Sequence, residues 1–253
     1  MKVKIYGYGW VGKAMHTLFP DALIYDPILG FNNLEKADVA FICVPTPAKN
    51  GKLDTSIVEE AVKMSEEDLI IIRSTVNPGT TDYLINRYNK QIVFQPEYLG
   101  ETPNHPMSDQ RMRQWFVLGG RGDNMRKVIE LYQKAYNANV NITLMTPYEA
   151  EVVKLTENRA IAFKVSECQE LYDVCEKARI DYYKIRDAVY GQDPRLNLWF
   201  SFVYPNNRGF NSSKCLKKDV PAFCDWAESI GANADITKLL VEKSNEYEKQ
   251  NEC

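Results

Sequence analysis

Lys2-Val3-Lys4-Ile5-Tyr6-Gly7-Tyr8-Gly9-Trp10-Val11-Gly12 begins one residue after the initial Met1. The first five residues suit a short strand, and the glycines follow as Gly-x-Gly-x-x-Gly. Read as strand, turn and helix, the pattern assigns each glycine a task. Gly7 permits the tight turn, Gly9 lets backbone approach a pyrophosphate, and Gly12 packs helix against strand. The helix opening at Trp10 and Val11 then points its N-terminus at the anion. Asp26 ends the next predicted strand, 19 residues after Gly7, near the spacing of roughly 20 expected for a ribose-binding acid. Its carboxylate would accept a bond from a ribose 2′-hydroxyl and repel a 2′-phosphate. The expected cofactor is therefore NAD rather than NADP.

Outward from this turn, short apolar runs alternate with amphipathic ones as far as residue 146. Strands are predicted at Val3–Tyr6, Ala22–Tyr25, Val39–Val44, Leu69–Arg73, Ile92–Gln95, Trp115–Leu118 and Ile142–Leu144. Helices are predicted at Val11–Phe19, Ser56–Met64, Thr80–Tyr88 and Asn124–Tyr136. Such alternation implies an α/β fold: a Rossmann-type, mostly parallel sheet with helices on both faces. Strands dense in Val, Ile and Phe should be covered on both sides. From Pro147 to about Arg179 neither Gly nor Pro interrupts the pattern after the first residue. A single helix there would span roughly 50 Å. Ile161, Val165, Cys168, Tyr172 and Cys175 recur on it at helical spacing. So broad an apolar surface needs cover, and a homodimer is expected. Residues 180–253 read as a small all-helical region with a loop at 205–214, and Glu242–Cys253 is expected to fray. The predicted domains are 1–146, which binds the dinucleotide, and 147–253, the long helix and helical dimerisation and substrate region.

The 253-residue chain is 45% hydrophobic and 26% charged, with a formal net charge of −3. That composition fits a globular protein, and without a basic block no nucleic-acid partner is expected. No apolar run reaches membrane-spanning length. With a strand beginning directly after Met1, no signal peptide is expected. Six cysteines without CxxC spacing and only two histidines argue against a metal site. A cytoplasmic location is expected.

One cysteine stands apart. Lys214-Cys215-Leu216-Lys217-Lys218-Asp219 sets a thiol among three lysines and an aspartate, and cationic surroundings favour the nucleophilic thiolate. Joined to a nicotinamide site, this suggests oxidation through a covalent thio-adduct. The other cysteines in apolar patterns, Cys43, Cys168, Cys175 and Cys224, read as core.

Further segments carry a resemblance. They are Val44-Pro45-Thr46-Pro47, Ser74-Thr75-Val76-Asn77-Pro78-Gly79-Thr80-Thr81, Pro96-Glu97-Tyr98-Leu99-Gly100-Glu101, Ala150-Glu151-Val152-Val153-Lys154-Leu155-Thr156-Glu157-Asn158 and Cys215–Asp219. In this order they resemble the nucleotide-sugar dehydrogenase family, of which UDP-glucose 6-dehydrogenase is the best-known member. The resemblance implies NAD-dependent, four-electron oxidation of a nucleotide sugar at C6, UDP-glucose by default. It implies Cys215 as nucleophile and Lys154 and Asn158 as oxyanion stabilisers. Asp219 would orient a water or Lys154, and Thr75 and Glu97 would hold a water. It places Val44, Pro45, Thr46 and Thr75 at the cofactor, and Glu97, Tyr98, Leu99, Lys154, Asn158, Arg195 and Gly209 at the substrate. Family members usually have glycines where Ser212-Ser213 stand here. They also continue into a third domain, expected to be missing here, so a partner chain supplying it is a possible partner. A non-catalytic or partner-completed NAD-binding relative, and a hydroxyacid-type dehydrogenase without a nucleophilic cysteine, are the alternative readings.

Overall fold

The computed structural model describes residues 1–49, 51–100, 111, 115–133, 135–136, 140–193, 196–197 and 199–251. It divides into two compact units, Met1–Lys49 with Leu53–Lys154, and Leu155–Cys253 with Asn50–Lys52.

The first unit contains β1 (Val3–Tyr6), α1 (Trp10–Leu18), β2 (Leu23–Asp26), β3 (Phe31–Asn32), β4 (Val39–Ile42), and a two-residue-strand hairpin, β5 (Ala48–Lys49) and β6 (Lys52–Leu53). It continues through α2 (Ser56–Met64), β7 (Leu69–Ile72), α3 (Thr80–Tyr88), β8 (Ile92–Phe94), β9 (Trp115–Gly119), α4 (Gly122–Tyr132) and β10 (Asn141–Met145). The main sheet runs β10-β9-β8-β7-β4-β1-β2-β3. Its pairs are parallel except β2 with β3 and β8 with β9.

The period-2 alternation of the strands builds two cores, one on each face of the sheet. Val3, Ile5, Val39, Phe41, Leu69 and Ile71 face α1 and α4, meeting Met15, Met125 and Val128. Ala40, Ile42, Ile70 and Ile72 face α2, α3 and the beginning of α5 (Pro147–Ala178), meeting Val58, Val62, Leu84 and Ala150. Full cover on both faces holds for β1, β4, β7 and β8, whose residues are all buried. It fails at β10, where Asn141, Thr143 and Leu144 are exposed, since that strand is the sheet edge.

The second unit consists of the remainder of α5 with α6 (Tyr182–Gln192), α7 (Lys214–Ser229) and α8 (Asp235–Gln250). Cys168 and Cys175 pack with Tyr182, Tyr190 and Val203, while Ala162 packs with Phe210, Leu216 and Val220. Cys43, Cys168, Cys175 and Cys224 are buried as expected, and Cys215 is half-buried. The expected fraying from Glu242 is not what the chain does: α8 continues to Gln250. Ser244 receives the Phe210 backbone N–H at 2.9 Å, and Tyr247 lies 4.6 Å under the Arg208 guanidinium. These side chains anchor the polar C-terminal half of the helix. Among the described residues no helix is long and apolar enough to cross a membrane.

Candidate functional site

The glycine turn has the geometry its sequence demands. Gly7 adopts φ +88°, and a Cβ there would lie 2.7 Å from the Cys43 carbonyl oxygen. A Cβ on Gly12 would fall 2.0 Å from the Gly7 oxygen, so both positions exclude larger residues. Gly9 differs, since a Cβ there would meet nothing within 4 Å. The space in front of Gly9 is open, as close approach of a pyrophosphate to backbone requires. Gly9 is also the N-cap of α1 and has no side chain to satisfy the first-turn amides. Asp26 accepts the Tyr8 N–H at 2.7 Å on one oxygen and the Leu29 N–H at 3.1 Å on the other. Each carboxylate oxygen keeps a lone pair for a ribose hydroxyl. Asp26 thus fixes the glycine turn as well as presenting an acceptor. Trp10 reaches out from the first turn of α1, and its indole N–H donates to the Gly100 carbonyl at 3.0 Å. Val11 is half-buried behind it. These residues fit a dinucleotide.

Other candidates stand where the parallel strands end, the edge at which open α/β sheets collect ligands. Val44, Pro45 and Thr46 follow β4, with Thr46 buried and Pro45 exposed. The Ser74 hydroxyl donates to the Val44 carbonyl at 2.6 Å, joining this loop to the one carrying buried Thr75. Glu97, after β8, accepts from the Arg73 guanidinium in a buried ion pair, and its other oxygen takes the Tyr98 and Leu99 N–H groups at 2.6 and 2.7 Å. Burial is the largest influence on Arg73 and opposes its charge, but the Glu97 carboxylate, Tyr132, Tyr136 and Cys43 together outweigh it and raise the guanidinium pKa. Burial also pushes the neighbouring Cys43 thiol up to about 12.

The first turns of α5 complete this unit. The Lys154 ammonium is buried 4.8 Å from the centre of the Tyr98 ring, a cation–π arrangement. Glu151, one turn earlier and fully buried, accepts the Gly79 and Thr81 N–H groups at 2.5 and 2.7 Å. It therefore supplies the cap for α3 that Gly79 cannot. Burial raises its pKa to about 7, against the lowering pull of Thr81 and Gly79.

In the second unit Cys215 is the second residue of α7. Ser213 caps that helix, accepting the Leu216 N–H at 3.2 Å. A serine where glycine is expected thus gains a capping role. Asp219, one turn beyond Cys215 and wholly buried, accepts from the Asn158 amide and from the Lys218 ammonium, the latter at 2.7 Å. The Asn158 contact ties the cysteine-bearing helix to α5, which also carries Lys154 one turn before Asn158. Gly209 adopts φ +82°, and a Cβ there would lie 2.8 Å from the Ser244 carbonyl oxygen. Close packing on α8 accounts for its being glycine. Arg195 lies outside the described residues.

Sequence reasoning assigned no role to Arg73, Glu151 or Arg208. Arg208 is buried, pairs with Asp173 at 2.9 Å, donates to the Gln169 carbonyl at 3.1 Å, and lies over Tyr172 and Tyr247. It clamps α8 to α5. A charge closing an apolar strand (Arg73) and an acid in the first turns of a helix (Glu151) were available signals, but their partners are distant in sequence. Among the described residues no cluster of side chains suits a metal ion.

Fold and glycine turn define a Rossmann-type dinucleotide-binding protein. The chain belongs, more narrowly, to the UDP-glucose/GDP-mannose dehydrogenase family. Residues 29–136 match that family's NAD binding domain and residues 148–247 its central domain. It is 28% identical over 245 residues to UDP-glucose 6-dehydrogenase TuaD of Bacillus subtilis, covering 89% of this chain and 51% of that protein. It is 27% identical over 235 residues to GDP-mannose 6-dehydrogenase of Pseudomonas aeruginosa, covering 84% and 52%. The chain thus spans about half the length of these relatives. In fold it is similar to a UDP-glucose dehydrogenase from Pyrobaculum islandicum, with a TM-score of 0.79 at 23% identity, over 97% of this chain and 68% of that one.

Proposed function

We propose that this protein oxidises the C6 primary alcohol of a nucleotide sugar, UDP-glucose by default, to the carboxylate through a covalent adduct on Cys215. NAD, when bound, supplies the hydride acceptor, and two are consumed per turnover. The glycine turn and Asp26 bind it, with Val44, Pro45, Thr46 and Thr75 along its path. The alcohol loses a hydride and a proton to become an aldehyde, the proton passing to a water held by Thr75 and Glu97. The Cys215 thiolate adds to the aldehyde carbon, forming a thiohemiacetal. The Lys154 ammonium and the Asn158 amide stabilise the developing oxyanion. Loss of a second hydride leaves a thioester. Water, oriented by Asp219, attacks that thioester; one of its protons goes to the departing Cys215 sulfur and the other to solvent, releasing the carboxylate and regenerating the thiol. Tyr98, Leu99, Arg195 and Gly209 contribute to sugar binding. The functional division falls at 146/147, and the working form is a cytoplasmic homodimer.

The observation that carries this reading is the buried Asn158–Asp219 contact, which joins α5 to a capped helix with a half-buried cysteine in its first turn. A protein that only binds NAD gains nothing from a buried carboxylate one helical turn after a cysteine. The test is NADH fluorescence of the purified chain with NAD and a panel of UDP-glucose, UDP-N-acetylhexosamines and GDP-mannose. The reading expects two NADH per sugar oxidised with one member of the panel. Measurable NAD binding with no NADH from any sugar would overturn it.

A further inference from the structure

A cavity of about 370 Å³ lies at the edge of the sheet away from the glycine turn. Its polar lining comes from Asn86, Asn89, Lys90, Gln91, Arg121 and Asn124. Ile92 begins β8, and a Cβ on Gly120 would lie 3.6 Å from the Ile92 carbonyl oxygen. The antiparallel β9 therefore delivers the start of α4 to the edge where the parallel strands begin. The glycine turn and Thr75 stand where those strands end.

Three features make this cavity a receptor for an anion. The first is the N-terminus of α4, whose earliest helical bond runs from Met125 N–H to the Arg121 carbonyl at 3.0 Å. The amides of Gly122, Asp123 and Asn124 precede that bond, and the Arg121 side chain does not cap them. The second is Asn124. It is only 7% exposed, lines the cavity, and its side chain has no hydrogen-bond partner among the described residues. Its amide is not sealed off from the cavity, so its donor and acceptor are available to a ligand there. The third is charge. Arg121 and Lys90 are in the lining and no carboxylate is. The Lys90 ammonium is fixed on the Val62 carbonyl at 2.6 Å, the Lys63 carbonyl at 3.0 Å and the Ser65 carbonyl, so it contributes charge to the cavity but no free donor. Lys127 donates to Gln91 at 3.1 Å just outside. The nearby acids are Asp123, exposed on the first turn of α4, and Glu66 and Glu67, which act on Lys90. On the opposite wall, Asn89 closes α3 in the left-handed conformation at φ 49°, beside Asn86. Those two amides offer donors and acceptors suited to hydroxyl groups.

We propose that this cavity is a second ligand site, which binds a small hydroxylated phosphate monoester with its phosphate on the first turn of α4 and Arg121 and its hydroxyls on Asn86, Asn89 and Asn124. The proposal is independent of the chemistry assigned to Cys215.

The test uses the full chain, saturated with NAD so that the glycine turn is occupied. Backbone amide resonances are followed by NMR during titration with glycerol 3-phosphate and, separately, inorganic phosphate. Saturable shifts of the 122–124 amides are expected with both probes, with the ester binding more tightly. Arg121→Ala, on an exposed side chain, should fold normally and weaken both by about tenfold, as loss of one charge-assisted hydrogen bond implies. Asn124→Asp should abolish binding by repulsion; if that variant does not fold, Arg121→Ala decides alone. Absence of saturable shifts at 122–124, or affinity unchanged in Arg121→Ala, would overturn the site. Equal affinity for phosphate and ester would overturn the assignment of the hydroxyl contacts.

Discussion

Replacing Glu151 by Gln separates the charge of one buried carboxylate from its hydrogen bonds. Glu151 has no exposed surface and accepts two backbone N–H groups, from Gly79 and Thr81. Burial raises its pKa from 4.5 to about 7. At pH below 4.5, folded and unfolded chains both hold the proton. Between 4.5 and 7 the folded chain retains it while the unfolded chain has released it, so rising pH favours unfolding. Above 7 both are ionised and the full penalty remains. The interval is worth about 3 kcal/mol. Gln keeps one acceptor oxygen and no charge, so one N–H loses its partner at a cost of about 1–3 kcal/mol that does not vary with pH. Urea unfolding of both proteins from pH 4.5 to 8 measures the contrast. The stability of wild type relative to Glu151→Gln should fall by about 3 kcal/mol as pH rises through that range. A difference that stays flat, or rises with pH, would refute the reasoning, because it would mean the carboxylate is ionised in the fold at no net cost.

Other outcomes follow from the same geometry. Gly12→Ala, with its Cβ 2.0 Å from the Gly7 oxygen, should lower the thermal midpoint and lose NAD binding, whereas Gly9→Ala should keep the midpoint and lose NAD affinity alone; calorimetry and NAD titration distinguish them. Glu97→Gln leaves the buried Arg73 guanidinium without a counter-ion, and should cost about 3–5 kcal/mol in urea unfolding. Asp219→Asn should lower kcat with NAD affinity unchanged, because the contacts of Asp219 are with Asn158 and Lys218; stopped-flow turnover and NAD titration measure the two effects.

Periodicity and punctuation made most of the architecture readable in advance. Ser56–Met64 and Thr80–Tyr88 are bounded by turn residues, and both helices have those limits. The isoleucine-rich strand at Leu69–Ile72 and the uninterrupted helix from Pro147 were equally legible. What escaped depends on pairing across long sequence distances. The antiparallel β8–β9 contact rests on a single register pair, Phe94 with Gly119, and no local pattern encodes direction. The polar tail after Glu242 carries no strong apolar stripe, and its order comes from Arg208 and Ser244 instead. At the site, Gly7, Gly12 and Asp26 were legible because backbone geometry restricts the residue type. Glu97 was legible as a residue but not in its surroundings, since its partner Arg73 read as the end of an apolar strand. Gly209, placed at the substrate by the resemblance, also packs closely on the α8 backbone, a contact that no local sequence pattern encodes.

The account depends most on a bond between substrate carbon and the sulfur of Cys215. Acid quenching during turnover with NAD and UDP-glucose, followed by mass spectrometry of the peptide containing Cys215, looks for that bond directly. The account predicts a UDP-glucuronyl thioester on this cysteine, absent in Cys215→Ser, with carboxylate production blocked in that variant. An unmodified Cys215 peptide together with carboxylate formed by Cys215→Ser at the parent rate would contradict it.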